Sequence, residues 1–501
     1  MAKILIVGGG VSGLSAGIYA QLNGLEATVC ESRGTAGGNL TGWRRGDYFI
    51  DNCVHWLTGT HPETETYRMW RDLGALGDGK TVQTESLYTC EQNGRRLSLW
   101  RDLSRLEADL LARSPRDERE IRSLLSAVRG VIRFLGIRKT DSGEPVGRFA
   151  LLRAVPALLR YHRLSVGDLA DRFYDPLIRS FLSGFLGDDF ASLALIAVMA
   201  TYCSGNGDLP RGGSLAMSER MAGRLTDLGG KLLLGKTVSE ISCENGRAVA
   251  ALCADGERLE ADYVILTADP AVLFPRLLRR PVPRSVAKFG AKAGVGRFSA
   301  WHCAFACDLS ALPFRGEYVL PLSPADCAET GSDRMILREF SHEPSFAPRG
   351  KTVLQTMVFC NEPAARAFIA LRETPDVYRE YKQQLGRTAE RLIAERFPTL
   401  AGRLTCLDVW TPATYRRYTS SEIGSFMGYA LPPRIIPRRL PNRVPGLRNV
   451  VLATQWLHAP GGLPFAAESG MQAVLTVLRA EQRQKRVPAE EQPYRPETVS
   501  P

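Results

Sequence analysis

Residues 3–24 read KILIVGGGVSGLSAGIYAQLNG, and this stretch decides the fold. Its apolar opening, Lys3–Val7, predicts a β-strand, residues 8–13 predict a tight turn, and residues 14–23 predict a helix. A second strand is expected at residues 27–30. Strand, turn, helix and strand within about 30 residues are typical of a right-handed parallel β-α-β unit.

The turn between the first strand and the first helix has the glycine spacing of a dinucleotide-binding loop. Gly8 permits the tight turn, Gly10 lets the backbone approach a pyrophosphate closely, and Gly13 lets the helix pack against the strand. Val11 and Ser12 complete the start of the helix, where amide donors and the positive end of the helix dipole attract an anion. The turn therefore predicts a pyrophosphate site.

The acidic residue after the second strand narrows the choice of dinucleotide. Glu31 lies eighteen positions after Gly13. A carboxylate there accepts hydrogen bonds from ribose hydroxyls and repels a 2′-phosphate, which favours FAD or NAD over NADP. Residues 31–39 read ESRGTAGGN and resemble the extended flavin fingerprint, in which a double glycine follows the acid, so FAD is the expected cofactor. The predicted contacts in this segment are Glu31, Ser32, Arg33, Gly37, Gly38 and Asn39.

Further motifs are distributed over the whole chain. They are residues 49–51 followed by His55 and Gly59, residues 210–214, residues 261–265 followed by 268–270, residues 411–412 with Tyr415, Tyr418 and Gly424, and residues 460–464 with Ala467, Ser469 and Gly470. Through them the chain resembles the phytoene-desaturase and retinol-saturase group of FAD-dependent oxidoreductases, a branch of the amine-oxidase-like flavoprotein superfamily. It departs from the group at Cys53 and Thr454, where glycine is common, and at Asn39, where arginine is frequent.

The resemblance implies further cofactor contacts. Val238 matches the position whose backbone contacts adenine in such flavoproteins. The segment that begins the last helix matches the one whose N-terminal amides face the flavin ring and the pyrophosphate. A positive helix end there stabilises the negative charge that develops near N1 and O2 of a reduced flavin. The residues of that segment are Gly461, Gly462, Leu463 and Pro464.

Few catalytic side chains are expected, because the flavin supplies the redox chemistry while the protein orients the substrate and excludes water. His55, Asp51, Tyr415 and Tyr418 are the candidates for positioning or proton transfer. The alternative for each is a hydrogen bond that only satisfies the core. No second GxGxxG motif with a strand and an acid follows in the sequence. Electrons are therefore expected to pass to or from a quinone, oxygen or a redox protein.

The chain is expected to fold as an α/β protein of two domains, because 501 residues exceed a single core. Residues 1–68, 212–276 and 441–482 are assigned to an FAD-binding domain with a Rossmann-like parallel sheet and a small antiparallel meander. Residues 69–211 and 277–440 are expected to form an inserted mixed substrate domain with helices, and its first part shows few strand signals. Strands are predicted at residues 231–234, 238–242, 248–252, 263–267 and 449–453, helices at 190–203, 215–228 and from about 461, and a disordered tail at 483–501.

Bulk composition excludes several other classes of protein. Hydrophobic residues make up 44% and charged residues 23% of the chain, as in an ordinary globular protein. The net charge of +11 comes without a nucleic-acid motif and concentrates at residues 148–172 and 434–448, of which the first is either a membrane-contact helix or a solvated helix face. Eleven cysteines without a CxxC pair indicate the reducing cytoplasm. Cys303 and Cys307 with His302 indicate a buried apolar segment and not a metal site.

The leading hypothesis is an FAD-dependent oxidoreductase that transfers hydride between flavin N5 and a carbon–carbon bond of a small lipophilic polyene such as a carotenoid or retinoid. The reaction is desaturation, saturation or isomerisation. A flavin amine oxidase is the alternative within the superfamily, and a non-catalytic lipid-binding or escort protein is the alternative of another class. A hydrophobic tunnel beside the flavin site would favour the first hypothesis, and peripheral contact with a membrane would fit it.

Overall fold

Five parallel strands form the sheet that carries the glycine turn. The structure, a computed structural model, describes residues 1–78, 81–292, 294–435 and 437–486. The strands are apolar, and Ile4, Leu5 and Ile6 are at most 2% exposed, as expected for a sheet covered on both faces. The Rossmann-like parallel sheet is confirmed, since each neighbouring pair of strands is parallel. From one edge to the other the strands are Lys231–Leu233, Glu26–Cys30, Lys3–Val7, Tyr263–Leu266 and Val450–Leu452.

Three helices pack against this parallel sheet: the first helix Val11–Leu22, the helix Gly213–Asp227 and the last helix Leu463–Arg486. The first and the last helix meet at Gly470, where an added Cβ would lie 2.4 Å from the carbonyl oxygen of Ser12. The hydroxyl of Ser15 donates a hydrogen bond of 2.6 Å to the carbonyl of Ala467 at the same contact. This packing brings the two flavin-type motifs, far apart in sequence, to one place.

A three-stranded antiparallel meander accompanies the parallel sheet, as the sequence predicts. It consists of Val238–Glu244, Arg247–Cys253 and Arg258–Glu260. Asn245 and Gly246 close its first hairpin with φ angles of 49° and 74°, left-handed values that asparagine and glycine adopt with the least strain. The third strand is absent from the prediction, whereas the strand predicted at residues 263–267 joins the parallel sheet instead.

A seven-stranded mixed sheet forms the other large sheet of the molecule. Two of its strands, Ser86–Gln92 and Arg95–Trp100, lie in a stretch expected to have few strands, and this expectation is wrong for them. The sequence contains the signal, since Asn93 and Gly94 adopt the positive φ angles of a tight hairpin. In order, the strands are Thr405–Trp410, Ser299–Asp308, Lys351–Cys360, Arg334–Glu339, Glu317–Pro321, Ser86–Gln92 and Arg95–Trp100.

Helices cover the mixed sheet and account for most of residues 103–203. These helices are Leu103–Arg113, Glu118–Phe134, Ala150–Tyr161, Val166–Ala170, Pro176–Leu186 and Ser192–Cys203. The other helices are Glu65–Asp72, Pro270–Leu273, Arg284–Gly290, Pro324–Thr330, Glu362–Leu371, Pro375–Arg396 and Pro412–Thr419. Short strands lie at Gly42–Arg45, Tyr48–Asp51, Leu57–Thr58, Thr81–Val82, Gly207–Pro210, Gly296–Arg297 and Tyr429–Ala430.

Several predicted boundaries move. The first helix begins at Val11 and not at residue 14, because Gly10 already serves as its N-cap. The last helix continues to Arg486, four residues into the predicted tail, and residues 487–501 of that tail lie outside the described residues. The division into two domains stays a prediction. Across the described parts of the chain, no helix combines the length and the apolar character needed to cross a bilayer.

Candidate functional site

One cavity of about 1600 Å³ joins the glycine turn to an apolar space between the helices and the mixed sheet. We call its polar part the cradle and its apolar part the arm. Of the sixteen predicted cofactor residues, all but Gly13 line the cavity. The cradle is lined by Gly8, Gly10, Val11, Ser12, Glu31, Ser32, Arg33, Gly37, Gly38, Asn39, Val238, Gly461, Gly462, Leu463 and Pro464. The arm is lined by Trp56, Phe185, Phe190, Ala194, Ala197, Val198, Phe298, Ile336, Met357, Phe359 and Phe426.

Each glycine of the turn is needed for a different physical reason. Gly8 has a φ of +106°, and Gly13 packs so closely that a Cβ would lie 1.9 Å from the carbonyl oxygen of Gly8. At Gly10 a Cβ would make only ordinary van der Waals contact, 3.9 Å from the carbonyl oxygen of Gly37 and the Cα of Gly38. Gly10 also caps the first helix without a side-chain hydrogen bond. The first amides of the helix are therefore available to an anion.

Glu31 is fixed at the other side of the turn. Its side chain is buried, and its two carboxylate oxygens accept hydrogen bonds of 2.8 Å from the backbone N–H groups of Gly9 and Arg33. Ser32 adds a weaker bond of 3.2 Å from its hydroxyl. These bonds hold the carboxylate at the wall of the cavity, where a ribose would present its hydroxyls.

The double glycine at residues 37–38 packs against the glycine turn at residues 8–13. The backbone N–H of Gly37 donates a hydrogen bond of 2.8 Å to the carbonyl of Gly9, and Gly37 and Gly38 have φ angles of 120° and 63°. The following residue, Asn39, accepts a bond of 3.0 Å at its carbonyl from the side chain of Asn52. The flavin-type segment at residues 31–39 is thereby tied both to the glycine turn and to the segment that contains His55.

The cradle ends at the start of the last helix. Gly461 and Gly462 have φ angles of 93° and 99°, which favour glycine, and the N–H of Gly462 donates a bond of 2.8 Å to Gln455 Oε1. A Cβ on Gly461 would lie 2.9 Å from the Cα of Gly428. The backbone at this point is therefore compact, and the first amides of the helix that follows lie at the cavity wall.

Two buried polar atoms at the cavity wall have no hydrogen-bond partner among the described residues: Ser425 Oγ and Arg33 Nε. A buried donor or acceptor without a partner is costly, so these atoms point to a polar ligand. Together with the free helix amides and the fixed carboxylate, they make the cradle fit a dinucleotide.

The arm is built from apolar side chains of separate elements. On the helix Ser192–Cys203, Ala194, Ala197 and Val198 line the arm while the opposite face is buried in the core. The helix predicted at residues 190–203 is confirmed from Ser192 onward, and only one of its faces is buried in the core. Across the arm, the ring of Phe298 meets those of Phe190, Phe359 and Phe426 edge-on, with centroids 5.5 to 5.9 Å apart.

His55 lies in the chain between Asn52, which is hydrogen-bonded to Asn39 of the cradle, and Trp56, which lines the arm. It lines the cavity, and its Nδ1 lies 2.6 Å from Oε1 of Glu317 on the strand Glu317–Pro321. Its neighbour Trp56 packs against Phe185 in the arm, with ring centroids 5.6 Å apart. Of the four predicted catalytic candidates, His55 is the one that borders both parts of the cavity.

Asp51 does not reach the cavity. Its carboxylate is 3% exposed and accepts hydrogen bonds of 2.6 Å from both the N–H and the hydroxyl of Ser214. The N–H of Cys53 adds a bond of 3.2 Å. These bonds tie the strand Tyr48–Asp51 to the start of the helix Gly213–Asp227. Asp51 thus makes hydrogen bonds within the core, which is the alternative that the sequence leaves open.

Tyr415 is also set back from the cavity, in the wall behind it. Its hydroxyl donates to Asn52 Oδ1 at 3.0 Å, receives a bond from Trp410, and lies 3.1 Å from Nε2 of His302. Burial raises the pKa of Tyr415 above its ordinary value. Burial also lowers the pKa of His302 to about 3, so this imidazole is neutral at ordinary pH.

Tyr418 lines the cavity at the nucleotide end and not beside His55. Its side chain is half exposed, and the guanidinium of Arg33 lies 5.0 Å from the centre of its ring. The same guanidinium donates to the carbonyl of Arg417. The structure thus places His55 and Tyr418 at different parts of the cavity wall, and Asp51 and Tyr415 outside that cavity.

The segment around Cys303 is a buried strand. Cys303 and Cys307 lie in Ser299–Asp308, and burial raises the pKa of both thiols. His302 in the same strand stacks on Trp410, with ring centroids 4.8 Å apart. Among the described residues, no group of three or more His, Cys, Asp or Glu side chains could hold a metal ion.

Sequence reasoning misses three residues of the site. Gln455 holds the amide of Gly462, Ser425 offers an unsatisfied hydroxyl, and Glu317 holds His55. The sequence does contain a signal that could have identified Glu317, since an acidic residue at the start of the apolar strand Glu317–Pro321 is unusual. Gln455 and Ser425 carry no such signal, because their roles depend on segments that meet only in the folded chain.

Comparison with known proteins agrees with this geometry. The sequence model of the flavin containing amine oxidoreductase family matches residues 11–478. Among curated proteins, the phytoene desaturase (neurosporene-forming) of Rhodobacter capsulatus is 24% identical and the alignment covers 94% of this chain and 93% of that protein. The chloroplastic prolycopene isomerase of Arabidopsis thaliana is 22% identical over 87% of this chain and 75% of that protein. The resemblance to the phytoene-desaturase group is confirmed.

Solved structures support the fold. An oxidoreductase from Methanosarcina mazei superposes with a TM-score of 0.59 at 16% identity, covering 95% of this chain and all of that one. The cyclohexylamine oxidase of Brevibacterium oxydans superposes with a TM-score of 0.55 at 15% identity, covering 96% and 99%. Since the family model spans the arm and the cradle from Val11 onward, the protein is a flavin-dependent oxidoreductase and belongs to the flavin containing amine oxidoreductase family.

Proposed function

We propose that the protein binds FAD in the cradle and transfers hydride to or from a carbon–carbon bond of a small lipophilic polyene in the arm. One observation carries the proposal: the apolar arm opens directly from the cradle within a single cavity. A hydride donor and acceptor must lie in contact, and a continuous cavity allows this.

FAD is the dinucleotide that suits the residues of the cradle. Its adenine end would lie at Val238, its ribose at Glu31, and its pyrophosphate at the amides of Val11 and Ser12. The isoalloxazine end would lie at Gly461, where the positive start of the last helix favours the charge of the reduced ring. The family match supports a flavin and not a nicotinamide in this place.

A polyene suits the chemistry of the arm. A conjugated hydrocarbon has no polar group to satisfy, and it gains by contact with aromatic rings such as those of Phe298, Phe359 and Phe426. The related proteins are named for phytoene and prolycopene, which supports this substrate class. Desaturation, saturation and isomerisation of such a substrate are all compatible with an apolar arm that opens from the flavin site.

The four candidate side chains take different proposed roles. His55 would touch the substrate, because it borders the arm. Asp51 and Tyr415 would act as positioning residues through Ser214 and Asn52. Tyr418 would form the wall of the nucleotide end beside Arg33.

When bound, FAD accepts or donates a hydride at N5. The chain would hold the polyene against the inner end of the cradle and exclude water with the apolar walls of the arm. A quinone, oxygen or a redox protein would complete the electron balance.

Anaerobic mixing of the FAD-loaded protein with a panel of polyenes and amines tests the proposal. We expect bleaching of the oxidised flavin, or reoxidation of the reduced flavin, with polyenes only, or a polyene isomer in the product analysis. Bleaching by amines alone, with peroxide release in air, would establish the amine oxidase alternative instead. A protein that stays colourless after reconstitution with FAD would favour the non-catalytic escort alternative.

A membrane surface is the proposed source of the substrate. Apolar side chains are exposed at Phe134 (73%), Leu152 (68%) and Leu159 (63%), and Leu152 and Leu159 share one face of the helix Ala150–Tyr161. Phe134 and Arg434 also line the cavity, so this surface adjoins the mouth of the arm. Exposed arginines lie on this helix, within two residues of its ends, or on the segment bonded to its C-cap His162, which suits an anionic bilayer. They are Arg148, Arg153, Arg163 and Arg434.

Sedimentation with vesicles that contain anionic lipid tests this surface. The double variant Leu152→Glu and Leu159→Glu is expected to lose binding, because it removes apolar contact and adds repulsive charge. The control Leu22→Glu changes an exposed leucine at the end of the first helix and is expected to bind like the wild type. Equal binding by all three proteins would contradict the membrane proposal and leave the FAD proposal intact.

A further inference from the structure

A small polar compartment lies behind His55. Its volume is about 10 Å³, about that of one water molecule, and His55, Asn52, Arg338 and Gln355 contribute to its wall. Nε2 of Gln355 is buried without a hydrogen-bond partner among the described residues, and so is Oε2 of the nearby Glu317. The unsatisfied Nε2 of Gln355 lies in the wall of this compartment, whereas Glu317 does not line it and contacts His55 instead.

Glu317 holds the inner nitrogen of His55. The two side chains meet at 2.6 Å, and Glu317 is 4% exposed. Because an ionised carboxylate only accepts hydrogen bonds, the hydrogen of the neutral imidazole lies on Nδ1 in this contact. The lone pair is then on Nε2, and the imidazole borders the cavity where the cradle meets the arm.

A buried carboxylate needs compensating charge, and Arg338 supplies it. Arg338 lies directly opposite Glu317 in the antiparallel strand pair, with Nε 3.7 Å from the same oxygen that contacts His55. Its side chain is 8% exposed. Glu317 thus contacts an imidazole on one side and faces a guanidinium on the other.

The other titratable groups near His55 do not compete for this role. His302, on the strand Ser299–Asp308, is neutral, since burial lowers its pKa to about 3. Asp51 is occupied by Ser214. Burial raises the pKa of the Cys53 thiol to about 12.

We propose that His55 and Glu317 form a proton-transfer dyad, in which His55 Nε2 exchanges the proton and Glu317 positions the imidazole. This inference rests on the proposed function. In desaturation, one carbon of the substrate would lose a hydride to the bound flavin, and the neighbouring carbon would lose a proton to Nε2 of His55. The electron pair of that second C–H bond becomes the new carbon–carbon double bond, and in saturation each transfer runs backwards.

The dyad predicts a dependence on Glu317 that a packing role would not give. In diethylpyrocarbonate modification, followed at His55 by mass spectrometry, only the neutral imidazole reacts. Glu317→Gln removes the negative charge that faces Nδ1 of His55, so we expect the pH midpoint of the modification to fall. This readout requires no turnover and is measured on the FAD-loaded protein.

Glu339→Gln is the matched control. Glu339 is a buried carboxylate of the neighbouring strand, but it accepts from the backbone N–H groups of Gly316 and Ser341. We expect this variant to leave the His55 midpoint unchanged. If Glu317→Gln does not fold, Glu317→Asp replaces it, and its shorter reach is expected to move the midpoint in the same direction.

Flavin reduction by a polyene gives the second readout. His55→Gln is expected to slow it by about 100-fold, and Glu317→Gln is expected to displace its pH profile together with the modification profile. Equal midpoints in the wild type and Glu317→Gln would overturn the dyad, as would an undiminished rate in His55→Gln. If no polyene reduces the flavin, the proposed function fails, while the modification midpoints still decide the coupling of His55 to Glu317.

Discussion

The cradle and the arm belong to one cavity, yet the cradle is shaped mainly by backbone and the arm by side chains. The cradle depends on backbone: Gly8 and Gly461 have left-handed φ angles, and Gly13 admits no Cβ. The arm depends on side chains from separate helices and strands, such as Ala197 and Phe359. Backbone shape tolerates few substitutions, whereas side chains can change one at a time. Such a fold can keep its cofactor while its substrate changes.

Gly10→Val should weaken FAD binding in the cradle and leave the arm unchanged, and this is the largest effect that we expect. Its Cβ would meet no described atom closer than 3.9 Å, so the protein should fold while the added methyl groups occupy the space of the pyrophosphate. Loss of two charge-assisted hydrogen bonds of about 1.5 kcal/mol each corresponds to about 100-fold weaker FAD binding. Fluorescence titration of the flavin-free protein measures this.

Gly223→Ala is the control for this change, because Gly223 lies in the helix Gly213–Asp227 with open space around it. It should bind FAD like the wild type. If Gly10→Val also kept full affinity with an unchanged circular dichroism spectrum, the pyrophosphate would not lie against the first helix.

Ala197→Phe should affect the arm and leave the cradle unchanged. Ala197 lines the arm on an exposed helix face, so the larger ring would fill space that we assign to substrate. We expect polyene turnover to fall about tenfold or more, with FAD affinity unaltered. Ala197→Ser, which keeps the size of the side chain, should retain most of the turnover. A loss of FAD binding in Ala197→Phe would mean that the two parts are not independent.

Glu31→Gln tests whether the carboxylate of the cradle contributes to FAD binding. The wild-type carboxylate accepts from both Gly9 and Arg33, whereas an amide can accept at one position only and would place a donor against the other N–H. FAD affinity should fall by about tenfold. Glu26→Gln, at the surface pair with Lys231, should have no effect in the same titration.

His302→Gln tests the wall behind the arm through pH. Burial lowers the pKa of His302 from 6.5 to about 3, so between these values the unfolded chain binds more protons than the folded one. Stability from this group is therefore present above about pH 6.5 and falls as the pH decreases, by about 2 kcal/mol at pH 5.

Thermal melting between pH 7 and pH 5 measures this dependence. The wild type should lose stability over the range, and His302→Gln should lose less, even if its melting temperature is lower at pH 7. The partly exposed His61→Gln provides the control. A pH dependence in His302→Gln equal to that of the wild type would show that the buried imidazole does not titrate as described.

The cradle could be predicted from the sequence almost completely, and the arm could not. Glycine spacing, Glu31 and the double glycine are local signals, because each constrains backbone within a few residues. Phe190 and Phe298 become neighbours only when the helices pack on the mixed sheet. Asp51 and Tyr415 illustrate the same limit, since the sequence gives no means of telling a cavity wall from the layer behind it.

A crystal structure of the protein with FAD bound tests the arrangement most directly. We expect the pyrophosphate to contact the amides of Val11 and Ser12, and the isoalloxazine to lie beside Gly461 with its free face toward the arm. Density for the ring outside the cavity, or at a place walled off from Phe298 and Phe359, would contradict the account.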